Sequence, residues 1–509
     1  NPQDEVVISI SSEPDTLDPC QGWGHGTTPL VQSTLVEYDY DMQFVNDLAT
    51  GYTLSSDGLT WTFTLRDDAY WHNGDKVTPE DIKWSIEFVS KTPVANAVFV
   101  STFSAIEGSK TNDVFNETFS GIAIDGQKIT ITFDKIAPDA LLTFTQFAPV
   151  PKSEFEGIDP LQVQQAPFFQ HPIGCGPFMV EEVNMKNYTI LAPFDKYYNG
   201  VADFKIQMLP SAGDSDPNVV TRAKSGNLDY GYTKMISDVQ ALEGTPGITV
   251  TPIDVRYTRL FFLNKFDKQD GSPAPLADAR VRQAIRYAID MSTICETLFQ
   301  GAAVPANAMA PDANLKDSSL NDYNYDPAKA KELLADAGWD ANTTIKVVYY
   351  YTDQATVDLM TAIQAYLADV GIKMEFELVE GDLATILWAA PADQTNGPRA
   401  VDWDMCYAAN AALSLHEYYD RYRTGSPTNS HTPEDAELNR LIDATNASAD
   451  VNAQNKAFKD LIKYENENMF TMALYYQPIF LITSDKIGDI QLGTPQFCIN
   501  WDIQNWNVQ

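Results

Sequence analysis

Two arginines separated by a tyrosine and a threonine, Arg256-Tyr257-Thr258-Arg259, form a short stretch equipped to seize an anion. A guanidinium presents a rigid fork of donors that meets a carboxylate two-to-two. The other use of either arginine is a salt bridge, which a chain this rich in acid offers readily. Catalytic groupings fail one after another. There is no G-x-x-x-x-G-K-[ST] phosphate cradle and no G-x-S-x-G nucleophile turn. His416-Glu417 is followed by Tyr418, Tyr419 and Asp420, so the second histidine of a zinc-protease helix is missing. Gly22, Gly24 and Gly26 follow Pro19 at the wrong spacing for a dinucleotide turn and read as loop glycines. His25, His72, His171, His416 and His431 show no metal-ligand spacing, and the five scattered cysteines contain no C-x-x-C pair. An odd number leaves at least one cysteine unpaired within the chain. These residues make no case for an enzyme.

Bulk properties narrow the class further. At 509 residues the chain should hold several cores. Its 11% aromatic content can fill those cores and still line a pocket. Seventy acidic against 34 basic residues give a net charge of −36. A surface so negative repels nucleic acid and anionic lipid, although net charge speaks first to solubility. No apolar run is long enough to cross a bilayer, since Met472–Thr483 is broken by Gln477 and Pro478. The first residues, Asn1-Pro2, show no basic or apolar leader pattern, which fits a cytosolic protein or one whose leader has been removed.

The elements that must position any site are legible in places. Val6–Ile10 reads as a strand. Ser55-Ser56-Asp57-Gly58 turns into Trp61, Phe63 and Leu65 alternating with threonines, a half-buried strand. Thr78-Pro79-Glu80-Asp81 starts a helix with a capping box. Ile129, Ile131 and Phe133 mark another strand. Asp278 opens a helix to Ile289, and Asp326-Pro327 opens one that Gly338 stops. A helix over 355–370 precedes a strand over 373–379, and a long helix is expected over 436–465. Mixed elements without an internal repeat predict α/β lobes.

Several segments, in order, carry a resemblance. They are Glu13-Pro14-Asp15-Thr16-Leu17-Asp18-Pro19, the stretch Thr60 to Phe88, Gly174-Cys175-Gly176-Pro177-Phe178, and Lys224 to Asp229. Pro275 to Ala284, Tyr325 to Trp339 and Gln454 to Phe470 follow. Together they resemble the family 5 extracellular solute-binding proteins, the peptide- and nickel-binding class of ABC importers. Trp61, Phe63, Trp84 and Phe88 within them read as core rather than site.

The resemblance implies an α/β fold of the two-lobed periplasmic-binding-protein kind, a type II-like clamp with an additional small domain inserted in the first lobe. The first lobe would comprise 1–45, 169–258 and 476–509, the inserted domain 46–168, and the second lobe 259–475. It further implies an extracytoplasmic, lipid-anchored protein, in the periplasm or on the outer face of the membrane. Such a protein works with ABC permease subunits and uses no cofactor. The expected cargo is a di- or oligopeptide, with a nickel or other metal chelate as the alternative and a secreted hydrolase or adhesin as the reading from another class.

Ligand contacts are expected from Gly22, Trp23 and His25 in the first loop, where Trp23 could stack on a ligand. Others would come from Arg256, Tyr257 and Arg259, from Asn410 at the end of a second-lobe strand, and from His416 beyond it. Peptide-binding members place an aspartate just after that strand, whereas Ala411 to His416 contains no acid. His416 falls where some chelate binders carry a histidine, so it is a metal ligand only under that alternative. The arginine those binders carry near Phe147–Pro151 is missing.

Overall fold

The computed structural model describes residues 5–9, 30–93, 95, 97–184, 187–209, 218–412, 414–429, 431–488, 490 and 502–509. Alternation builds the first sheet. In Thr60–Leu65 the side chains of Trp61, Phe63 and Leu65 are buried while the threonines between them stay half-exposed. This strand pairs antiparallel with Ala49–Leu54 and with Lys128–Thr132, and Ile122–Asp125 completes a four-stranded sheet. The helix Pro79–Ser90 begins as the sequence predicts. The Thr78 hydroxyl accepts from the Asp81 N–H, and the Asp81 carboxylate accepts from the Thr78 N–H at 2.9 Å. Residues 46–168 therefore hold a sheet and helices of their own within the first unit.

The chain divides into two compact units, residues 1–254 with 448–450 and 479–509, and residues 255–447 with 451–478. The main crossings fall at Asp254–Val255 and Pro478–Ile479. Tyr257 and Thr258 pair with Ala411 and Asn410 in the second unit's sheet. The first unit is centred on a seven-stranded sheet in the order Phe178–Asn184, Tyr188–Pro193, Lys205–Leu209, Glu5–Ser9, Tyr230–Thr233, Ile479–Ser484, Ile248–Ile253. The second has six strands in the order Val304–Pro305, Thr471–Tyr476, Tyr257–Leu263, Met405–Ala411, Thr344–Tyr349, Lys373–Leu378. Its last three strands run parallel, joined between Tyr349 and Lys373 by the helix Gln354–Asp369. The long helix expected over 436–465 is in fact two, Ala436–Thr445 and Val451–Asn468. Asn446 breaks it by turning its amide back onto the Ile442 carbonyl, and the Ser448 hydroxyl then accepts from the Asp450 N–H. Cys175, Cys295 and Cys406 are buried free thiols, and Cys20 and Cys498 lie outside the described residues.

The Gly174-Cys175-Gly176 segment shows why its glycines are needed. A β-carbon on Gly174 would sit 1.9 Å from the Val31 carbonyl oxygen, and one on Gly176 would sit 2.5 Å from that of Gln32. These obstacles are backbone and cannot rotate away. His72 staples the same segment. Its Nδ1 accepts from the Gly174 N–H at 3.1 Å, so Nε2 carries the proton it gives to the Gly176 carbonyl at 3.1 Å. Burial pushes the imidazole down to about 4.

Two outcomes follow for stability. Gly174→Ala should cost 2 kcal/mol or more, roughly the penalty of overpacking against fixed backbone, and an unchanged melting temperature would contradict this. His72 stays neutral in the native protein down to about pH 4, whereas the unfolded imidazole takes its proton near 6.5. The stabilisation is therefore complete above pH 6.5 and drains away as pH falls towards 4, by about 3 kcal/mol in all. Asp47, raised to about 6 by burial, acts in the opposite sense between about pH 6 and 3.8. Urea titrations across pH 4–7 should show a shallower acid decline for His72→Gln than for wild type.

Candidate functional site

The antiparallel strand Tyr257–Leu263 lies between Met405–Ala411 and Thr471–Tyr476. Its first residues thus share an edge with the carboxyl ends of those neighbours and of Thr344–Tyr349. Loops at the carboxyl ends of parallel strands are where open α/β sheets generally bind ligands. On this strand odd-numbered side chains face one way and even-numbered ones the other. Phe261 and Leu263 join a core with Tyr407, Tyr349 and Tyr475, while Leu260 and Phe262 join another with Ala408, Met309 and Tyr418.

Tyr257 and Arg259 continue the odd face. The Arg259 guanidinium carbon lies 4.2 Å from the centre of the Tyr351 ring, 5.2 Å from Tyr257 and 5.7 Å from Tyr407. Its Nε makes a long 3.5 Å contact with Oε1 of Gln477, and its Nη1 is buried without a hydrogen-bond partner among the described residues. Burial works against the charge, but the phenol oxygens of Tyr407, Tyr475, Tyr257 and Tyr351 hold it more firmly protonated than a free arginine. Three of these phenols are paired with another phenol. The Tyr407 and Tyr475 hydroxyls lie 2.6 Å apart and those of Tyr350 and Tyr351 3.1 Å apart, and burial pushes Tyr407 up to about 12. The result is a half-buried cation in an aromatic cage, with a donor to spare.

The remaining expected contacts divide. Arg256 lies on the even face and is already held by Asp312, through Nε at 3.1 Å and Nη2 at 2.8 Å. It is therefore not the open fork the sequence allowed, because the acid-rich chain supplied a salt bridge. Asn410 is buried on that face too, its amide 3.6 Å from the Met309 sulfur. His416 sits in the short helix Leu415–Tyr419, buried beside the Phe458 ring at 4.9 Å, with Nε2 3.4 Å from Oε1 of Gln454. Gly22, Trp23 and His25 lie outside the described residues. Sequence reading missed Tyr351, Tyr407, Tyr475 and Gln477. Alternation along Met405–Ala411 and the run Tyr349-Tyr350-Tyr351 at the end of Thr344–Tyr349 are the signals that point to Tyr407 and Tyr351. Among the described residues no group of three or more His, Cys, Asp or Glu side chains could hold a metal, and no helix is long and apolar enough to cross a membrane.

Residues 43–432 match the bacterial extracellular solute-binding proteins, family 5, middle. The fold class is that of the two-lobed α/β periplasmic binding proteins, as the resemblance implied. The chain belongs to the family 5 solute-binding proteins. A relative from Brucella ovis, named an ABC transporter peptide-binding protein, is 29% identical over 351 residues, 67% of this chain and 61% of the relative's own length. The solved structure of NikZ from Campylobacter jejuni with Ni(L-His) is similar over 100% of both chains, with a TM-score of 0.71 at 21% identity. The oligopeptide-binding protein AppA from Bacillus subtilis, solved with a nonapeptide, covers 99% of each at 0.67 and 16%. Identities this low bear on the fold alone.

Proposed function

We propose that the protein is the extracytoplasmic substrate-binding component of an ABC importer, that it captures a peptide, and that Arg259 with Tyr257 holds the peptide's carboxylate. One observation carries the reading: among the described residues Arg259 keeps a buried Nη1 donor without a hydrogen-bond partner, beside tyrosine rings and in no ion pair with a carboxylate. A peptide terminus supplies the missing acceptor. The peptide-binding name of the Brucella relative and the nonapeptide in AppA support the same cargo class. The chelate alternative leans on His416, which is turned into the core beside Phe458. On this reading the protein works outside the cytoplasm, lipid-anchored beside the permease subunits that receive its cargo, and it does not transform what it carries.

Calorimetry with alanine-rich peptides of two to six residues, as free acids and as C-terminal amides, tests the assignment. Wild type should bind the acids at least tenfold more tightly than the amides, since a hydrogen bond to a charged group contributes about 1.5–3 kcal/mol. Arg259→Gln should abolish that preference while leaving the melting temperature within a few degrees. Equal affinity for acid and amide would remove Arg259 from the role. Binding of nickel–histidine with no peptide bound would remove the peptide reading.

A further inference from the structure

The even face of the strand that carries Arg259 is held by one short segment, Ala308–Lys316. The Thr258 hydroxyl donates to the Met309 carbonyl at 2.7 Å, and Arg256 forks onto Asp312. The neighbouring strand is held by the same segment. The Tyr476 hydroxyl donates to the Ala308 carbonyl at 2.8 Å and accepts from Lys316 Nζ at 2.5 Å, whose ammonium also lies 4.2 Å from the Tyr476 ring centre. Tyr418 adds a tie from the third strand's side, donating to the Arg256 carbonyl at 2.9 Å and lying 3.2 Å from the Asn410 carbonyl. These bonds fall on Arg256, Thr258 and Tyr476, the residues that flank Arg259 and Gln477 in sequence. They also fall where the two strands leave the unit, at Val255 and Pro478.

A strand end is normally its loosest part, because its hydrogen bonds fray and its last residues have neighbours on one side only. Here the ends carry the cage. A displacement of 1 Å in Arg259 would spoil a charge-assisted contact whose strength depends on distance and direction. On the cage face the rings pack against the guanidinium, but among the described residues its only hydrogen-bond contact there is the long 3.5 Å one to Gln477. Short, directional bonds that hold the strand end come through the backbone from the other face.

We propose that Ala308–Lys316 is a clasp and that Asp312 and Lys316 are positioning residues for Arg259, acting through Arg256 and Tyr476 without touching the ligand. The part that concerns affinity rests on the carboxylate reading above; the part that concerns the strand ends does not. The clasp is bonded at four points across two strands, so it fixes both together and keeps Arg259 and Gln477 in register. Its ion pair is partly shielded, with about a sixth of each side chain exposed. Burial lowers the Lys316 ammonium to about 8, while Asp312 and Asp322 favour its charge.

Hydrogen exchange on the whole protein, read by mass spectrometry, tests the clasp in wild type, Asp312→Asn, Lys316→Met and the swapped pair Arg256→Asp with Asp312→Arg. Exchange at the amides of 256–259 and 475–477 should quicken about tenfold or more in the single variants, while Thr344–Tyr349 stays protected. Affinity for a free-acid peptide should fall about tenfold, and the swapped pair should recover much of both losses. Should Asp312→Asn fail to fold, Lys316→Met carries the comparison. Unchanged exchange at the strand ends would overturn the clasp. Faster exchange with unchanged affinity would overturn its role in positioning Arg259. If wild type binds no peptide at all, the carboxylate reading fails, and exchange alone still decides whether the clasp exists.

Discussion

Successive side chains of a β-strand point to opposite faces, and the second unit depends on that rule at Tyr257–Leu263. Paired on both sides, this strand has its register set twice over, by Met405–Ala411 and by Thr471–Tyr476. A slip of one residue would exchange its faces completely. Arg259 would then meet Met309 and Trp403's core, and Phe262 would enter the tyrosine cage. The two cores punish that exchange with the full burial of Leu260, Phe261, Phe262 and Leu263, none more than 1% exposed. The apolar half of the strand thus fixes the direction of the polar half. Arg259 faces the cage because Phe261 and Leu263 must face the helices on that side.

Against the other arginines, Arg259 differs in lying beside three tyrosine rings. Arg399 and Arg421 also have a buried nitrogen without a hydrogen-bond partner among the described residues, and Arg421 lies over the Phe262 ring. In so acidic a chain most described guanidinium groups find a carboxylate: Arg256 has Asp312, Arg280 has Asp278, Arg399 has Asp404 and Arg423 has Asp443. Arg282 and Arg286, buried deeper, spread their donors over backbone carbonyls instead, and burial lowers both to about 10. Those are finished networks that knit loops to strands. Among the described residues Arg259 makes no bond to a carboxylate or to a backbone carbonyl and has only ring faces and one distant amide oxygen. On the carboxylate reading proposed above, its half-exposed place at the start of an interior strand is what leaves Arg259 available.

The sequence disclosed a good deal of this, unevenly. Capping residues announced the helices at Thr78, Asp278 and Asp326, because a side-chain oxygen three residues before a periodic run has a specific donor to satisfy. Alternation announced Thr60–Leu65 for a similarly local reason. The break at Asn446 was harder to see, since apolar periodicity continues across it and only the turn-forming Asn446, Ser448 and Asp450 argue otherwise. The cage was harder still. Arg259, Tyr351, Tyr407 and Tyr475 are spread over more than 200 residues, and only the strand order brings them together. Composition revealed that tyrosines were plentiful; it could not say which would surround one arginine. Arg256 and Arg259 look interchangeable in sequence, and a difference of three positions, an odd number, puts them on opposite faces.

The choice of tyrosine over carboxylate has a thermodynamic logic. A carboxylate beside Arg259 would satisfy it in the empty protein, and an arriving ligand would have to displace that partner for little net gain. Aromatic faces attract the cation through their quadrupole by about 1–2 kcal/mol when partly shielded from water, yet they occupy none of its N–H directions. The charge is thereby kept stable without its hydrogen-bonding capacity being used. The phenols pair with one another, Tyr407 with Tyr475 and Tyr350 with Tyr351, so their own hydroxyls do not turn onto the guanidinium. What remains is a cation whose surroundings tolerate its charge and, on the proposed reading, leave it for the ligand's carboxylate. Rigidity on the opposite face completes the arrangement, because a donor left open has value only if it waits in one place.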